Sequence, residues 1–189
     1  MNNPGSEIQS TWVADVLTFW FEELSQKDWF VKSADTDNKI RERFSSLYEE
    51  LDKVHVASLL GEAETALAAV LVLDQFPRNL FRGSAKSFAT DSKALAISMA
   101  TVAAGIDRAI PADRRVFLYL PYEHSENLDD QHRSVELISA IGDDGFTQYA
   151  VAHRSVIEKF GRFPHRNKVL GRASTPEEEA YLAQPGSGF

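Results

Sequence analysis

The sequence predicts an all-α fold, one domain built as a bundle of antiparallel helices, on three observations. Apolar residues recur at helical spacing along nearly the whole chain, and no convincing run alternates with the period of a strand. Glycine, proline and capping residues punctuate the helical stretches at intervals suited to helical hairpins. A chain of 189 residues suits a single domain, burying roughly 70% of the surface its unfolded form exposes.

Trp12, Val13, Val16, Leu17, Trp20, Phe21 and Leu24 mark a first helix behind a start at Ser10 or Thr11. Ile40, Phe44, Leu47, Tyr48 and Leu51 mark a second, with Asp35, Thr36 or Asp37 as candidate caps. Ala63, Leu67, Val70, Leu71 and Asp74 lie on a nearly all-apolar helix that belongs at the centre of the core. Another runs over 91–103, with Gly105 placed to stop it. "ADRRVFLYLP" could be a strand by composition alone, but its helical surroundings favour a helix ending before Pro121, since the residue preceding a proline disfavours helical backbone. Helices over 127–140 and 146–160 follow, the last closed by Gly161. In "STPEEEAYL", Thr175 and Glu178 form a capping box with Pro176 at the first helical position. Residues 1–6 and 184–189 are expected to be flexible tails. The aromatics Trp12, Trp20, Phe21, Trp29 and Phe30 are expected to pack in the core.

Composition narrows the function. The formal charge of −8 and a pI near 5.1 disfavour nucleic acid and anionic membranes as partners. The longest apolar run, 66–73, is too short to span a bilayer, and the polar "MNNPGSEIQS" lacks a signal-peptide pattern. The absence of cysteine removes disulfides, thiolate metal sites and cysteine nucleophiles; a cytoplasmic protein is expected.

Directional polar side chains concentrate in three segments: "LDQFPRNLFRG" (73–83), "LPYEHSENLDDQH" (120–132) and "FGRFPHRNKVLGR" (160–172). The third carries three arginines, a lysine and a histidine without an acid, and its "RFPHRN" echoes "QFPRN" in the first. Arg78, Arg82, Arg162, Arg166 and Arg172 stand beside proline or glycine, and are read as turn residues. A guanidinium suits a bidentate grip on a carboxylate or phosphate, and a proline-restricted backbone preorganises that grip. They equally suit pairing with Asp74, Glu123, Glu126 and Asp130, or capping of helix-end carbonyls.

Other chemistries find little support. His124 with Glu126, and His132 with Glu136, match no metal signature, so no metal is expected. No glycine-rich phosphate loop or dinucleotide fingerprint is present, so no cofactor is expected, and Ser125 lacks a nucleophile-elbow setting.

Blocks such as "LVLDQFPRNLFRGSAKSFATD", "FLYLPYEHSENLDDQHRSVEL" and "HRSVIEKFGRFPHRNKVLGRASTPEEEAYL" closely resemble those of a bacterial family known as domain of unknown function nine-two-four. "VLTFWFEEL" and "DWFVKSADTDNKIRERF" resemble its opening blocks, so the resemblance covers nearly the whole chain. It implies tetratricopeptide-like helical hairpins without the consensus repeat, and it implies no catalytic residue.

The leading expectation is therefore a pocket for a small anionic metabolite, a carboxylate or phosphate. Arg78, Arg162, Arg166 and Arg172 are its anion contacts, and Asp74, Gln75, Asn79 and Asn167 its orienting shell. His124, Glu126 and His165 are the acid–base candidates. The alternatives are a scaffold for an acidic peptide and a structural polar network.

Overall fold

The computed structural model describes residues 4–188, with side chains described from Thr11 onward. Every regular element within these residues is helical. The helices are α1 (Pro4–Thr18), α2 (Gln26–Phe30), α3 (Ala34–Lys53), α4 (Ala63–Val70) and α5 (Phe76–Leu80). They continue as α6 (Asp91–Ala103), α7 (Ala112–Glu123), α8 (Leu128–Ser139), α9 (Asp144–Phe160) and α10 (Pro176–Leu182). None is long and apolar enough to cross a membrane.

The central helix is α4, all but two of whose residues are buried, packed against α1, α6 and α7. The other end of the bundle is built by α7, α8 and α9. Aromatic rings pack against one another in the core. Phe19, Phe44 and Phe76 meet at 5.0–6.1 Å between centroids, and Trp20 meets Phe117 edge-on at 5.7 Å. The indole N–H of Trp29 donates to the Trp20 carbonyl at 2.8 Å. Phe30 departs from the core expectation: it is 60% exposed, lying against Phe117 and Phe146 at the rim.

Capping follows local chemistry. Asn127 Oδ1 accepts from Asp129 N and Asp130 N, Asp143 Oδ1 accepts from Phe146 N, and Thr175 with Glu178 completes its capping box. For α3 the cap is Ser33, not Asp35, Thr36 or Asp37, because Ser33 has extended backbone while 34–37 are already helical. α1 begins at Pro4, six residues before Ser10, since proline is tolerated in a first turn. Of the expected flexible tails, 1–3 and 189 lie outside the described residues; Ser187 Oγ donates to Leu182 O at 3.0 Å.

Two prolines lie inside helical runs, one of them, Pro121, where the sequence predicts a helix end. Pro121 sits within α7, which continues to Glu123. Its ring forfeits one backbone bond, but 116–123 are all buried, and their packing outweighs that loss. Pro77 lies in the first turn of α5, which follows α4 through a π-turn over Leu71–Gln75. Arg78 is therefore a helix residue, not a turn residue, and the echo between "QFPRN" and "RFPHRN" joins an α-turn to a 3-10 turn at Pro164–Arg166.

Gly161 closes α9 at φ +66°, and a Cβ there would meet no atom within 4 Å. Gly161→Ala should therefore cost about 1 kcal/mol from backbone conformation alone. A denaturation midpoint shifted by that amount with an unchanged slope checks it.

Candidate functional site

The π-turn between α4 and α5 positions the centre of the site. An extra residue in the turn redirects the helix, and such bulges recur at functional sites. Here it carries Asp74, which is fully buried. Asp74 Oδ1 lies 2.8 Å from His124 Nδ1 at the end of α7, and Gln75 Nε2 donates to Oδ2 at 2.6 Å. Arg78, one turn on, approaches Oδ1 at 3.4 Å. Burial alone would raise the Asp74 pKa, but Arg78 and His124 overcome it and hold the carboxyl at about 2. His124 is pushed below its ordinary value by burial and by Arg78, against the pull of Asp74. The neutral ring therefore donates Nδ1–H to Asp74, leaving Nε2 as an acceptor.

Around this pair lies a second layer of charge. Arg78 makes a two-pronged contact with Asp91, at 3.0 and 3.1 Å. The other oxygen-facing partner of Asp91 is Arg166, at 3.5 Å. Arg166 is 7% exposed, its guanidinium lies 4.5 Å from the centroids of both Phe88 and Phe163, and its Nε has no hydrogen-bond partner among the described residues. Burial, then repulsion from Arg78, lowers its pKa to about 10. Two guanidinium groups thus share one carboxylate in a desolvated setting.

Glu123 and His153 complete the buried layer. Glu123 Oε1 is 3.3 Å from His153 Nδ1, which also faces the Tyr149 carbonyl at 2.9 Å. Burial and then the charge of Asp74 push Glu123 up to about 8, while burial and then His124 push His153 down to about 3. With both groups desolvated, the neutral acid and neutral imidazole are favoured over the ion pair. His165 neighbours the cluster through Phe163, 5.6 Å away between ring centroids, and burial followed by Arg166 lowers it to about 4.

The structure therefore brings Asp74, Gln75, Arg78, His124 and Arg166 together, with His165 at their edge. Four other candidates, Glu126, Arg162, Asn167 and Arg172, staple the chain after α9. Arg172 binds both oxygens of Glu126 at 2.7 and 2.9 Å, and its Nε donates to Asn167 Oδ1 at 2.9 Å. Glu126 also accepts the backbone N–H of Phe163 at 2.8 Å, which aims the Phe163 ring that covers Arg166. Arg162 grips Glu178 at 2.6 and 2.8 Å, which lowers that carboxyl to about 2. Asn79 stands apart, donating with Arg82 to Asp37.

Several cluster members escaped the sequence reading. Asp91 marks only a helix start in sequence, and Phe88 and Phe163 carry no polar signal. Glu123, expected as a partner for an arginine, faces His153 instead. His165 and Phe88 also line a cavity of about 300 Å³, with Lys32, Ser84 and Ser87 on its wall. Among the described residues no three His, Asp or Glu side chains are grouped to hold a metal ion.

The comparisons with known proteins bear on this arrangement. The family model described as "Bacterial protein of unknown function (DUF924)" matches residues 16–186, which spans all three polar segments. The chain belongs to this family. No curated protein matches it. It is similar to a solved structure of a protein of unknown function from Agrobacterium tumefaciens, at 39% identity and a TM-score of 0.88. That similarity covers 93% of this chain and 98% of the other. The family matches thus extend over the whole cluster, from the π-turn of Asp74 to the 3-10 turn of Arg166, and they attach no activity to it.

Proposed function

We propose that the protein binds a small anionic metabolite, a carboxylate or phosphate, beside Arg166. The observation that carries this reading is Arg166 itself. It is a buried cation whose Nε has no partner among the described residues, clamped between two rings and left with a shared carboxylate at 3.5 Å. A ligand oxyanion would supply the charge and acceptor it lacks. The adjoining cavity offers entry, with Phe88 common to both and Lys32 on the wall. Of the acid–base candidates, His124 is the best equipped, because Asp74 fixes its tautomer. Glu126 is committed to Arg172 and Phe163, so it serves by positioning.

A second reading, a purely structural network, is favoured by the acids found on Arg78, Arg82, Arg162 and Arg172. One variant separates the two. Arg166→Met removes a desolvated charge while Asp91 keeps its two-pronged partner Arg78, so stability should stay within about 1 kcal/mol of wild type. A bound metabolite at a hundred times its Kd should stabilise wild type by about 2.7 kcal/mol, and the variant should lose that shift. A thermal-shift screen of carboxylates and phosphates reads both. No stabilisation of wild type, or a loss of about 3–5 kcal/mol in the unliganded variant, would favour the network instead.

A further inference from the structure

Arginines that the sequence reading passed over define a second cleft. It lies where the 3-10 turn Ile106–Ala109 meets α7 and α8, and its volume is about 260 Å³. Arg108, Arg115 and Arg133 all line it. Arg133 is paired with Glu136 at 2.6 Å. The other two differ from every arginine of the Arg166 region: among the described residues, neither forms an ion pair with a carboxylate.

Arg115 is nonetheless held in place. Its Nε and Nη2 donate to the Ile110 carbonyl at 3.0 and 2.7 Å, and Nη2 reaches the Arg108 carbonyl at 3.3 Å. Neutral carbonyls fix the plane of the guanidinium without cancelling its charge, which is the preorganisation an anion site requires. Arg108 is exposed and its side chain makes no bond to the described residues, so it is free to close over a ligand. Asp107, on the cleft wall, is already engaged: it accepts the Tyr119 hydroxyl at 2.6 Å and is 6% exposed. Three guanidinium groups against Asp107 and Glu136 leave the cleft one positive charge in excess, in a chain of charge −8. Val102 and Leu137 supply an apolar wall.

The geometry points to a second ligand site here, for a small organic oxyanion with an apolar body. The head group would meet Arg115 and Arg108, and the body would lie on Val102 and Leu137. The volume falls near the lower end of ligand pockets, which run from roughly 300 Å³ upward, so the ligand is small. This site is independent of the one at Arg166.

Phenyl phosphate and benzoate serve as probes, with inorganic phosphate as the head group alone, read by calorimetry and amide chemical-shift mapping. Either aromatic probe should bind, with shifts centred on 106–110 and on α7 and α8. Arg108→Ala, whose exposed side chain makes no hydrogen bond or ion pair with the described residues, should weaken binding about tenfold without changing the melting temperature. Arg115→Gln should weaken it at least as much, and Arg166→Met should leave it unchanged. The site is overturned by no binding of either aromatic probe, by affinity that survives Arg108→Ala and Arg115→Gln, or by loss confined to Arg166→Met. Inorganic phosphate binding as tightly as phenyl phosphate would overturn the apolar-body assignment.

Discussion

Replacing Asp74 with asparagine should destabilise the fold by about 3–5 kcal/mol at neutral pH, the cost of stranding a buried charge. The carboxylate is wholly buried and serves three partners at once: His124 at 2.8 Å, Gln75 at 2.6 Å and Arg78 at 3.4 Å. Asparagine keeps the shape but removes the charge. Arg78 and Arg166 would then depend on Asp91 alone. The amide would also turn a donor toward Gln75 or His124, both of which now donate to Asp74. Urea denaturation should show a lower midpoint with an unchanged slope. Adding Arg78→Met should recover part of the loss, with a coupling of about 1–3 kcal/mol, because the stranded cation goes too. A single-variant loss below about 1 kcal/mol would show that Arg78 is compensated elsewhere.

That prediction rests on contacts only partly legible in the sequence. Helical periodicity located α3 and α9, which each keep an apolar face, and Gly105 and Gly161 marked where α6 and α9 stop. Pro121 misled because a proline's cost is local, whereas the burial that offsets it comes from residues far along the chain; Pro77 sits in a first turn, where proline costs little. The same distinction governs the charges. Composition and turn chemistry singled out Arg162 and Arg172, but whether a guanidinium is free depends on acids 16 and 46 residues away. Arg115 shows the converse. It reads as an ordinary first-turn helix residue, yet two backbone carbonyls hold it and it forms no ion pair among the described residues. Asp91 joined the cluster only because α6 packs against the α4 end and the π-turn. Residue type is written in sequence; pairing is a property of packing.

Glu123 provides the largest expected pH effect. Its pKa rises from an ordinary 4.5 to about 8 in the fold, through burial and the charge of Asp74. A folded pKa above the unfolded one means its contribution is complete below about pH 4.5 and is lost as pH rises through about 8. The neighbouring histidines act oppositely. His153 and His165, lowered from 6.5 to about 3 and about 4, give contributions present above 6.5 and lost as pH falls through those values. Between 4.5 and 6.5 the two histidines outweigh Glu123, so this cluster makes stability rise with pH. From 6.5 to 8 Glu123 acts alone among these three, and the cluster costs about 2 kcal/mol, at about 1.4 kcal/mol per unit. Glu123→Gln keeps a neutral side chain of the same shape. Its stability relative to wild type should grow by roughly 4–5 kcal/mol from about pH 4 to pH 9, while the acid limb set by the histidines persists. Urea denaturation of both proteins across that range measures the difference directly. A difference that stays constant with pH would show that Glu123 ionises in the fold near its ordinary value, as half of an ion pair with His153 in place of the neutral pair.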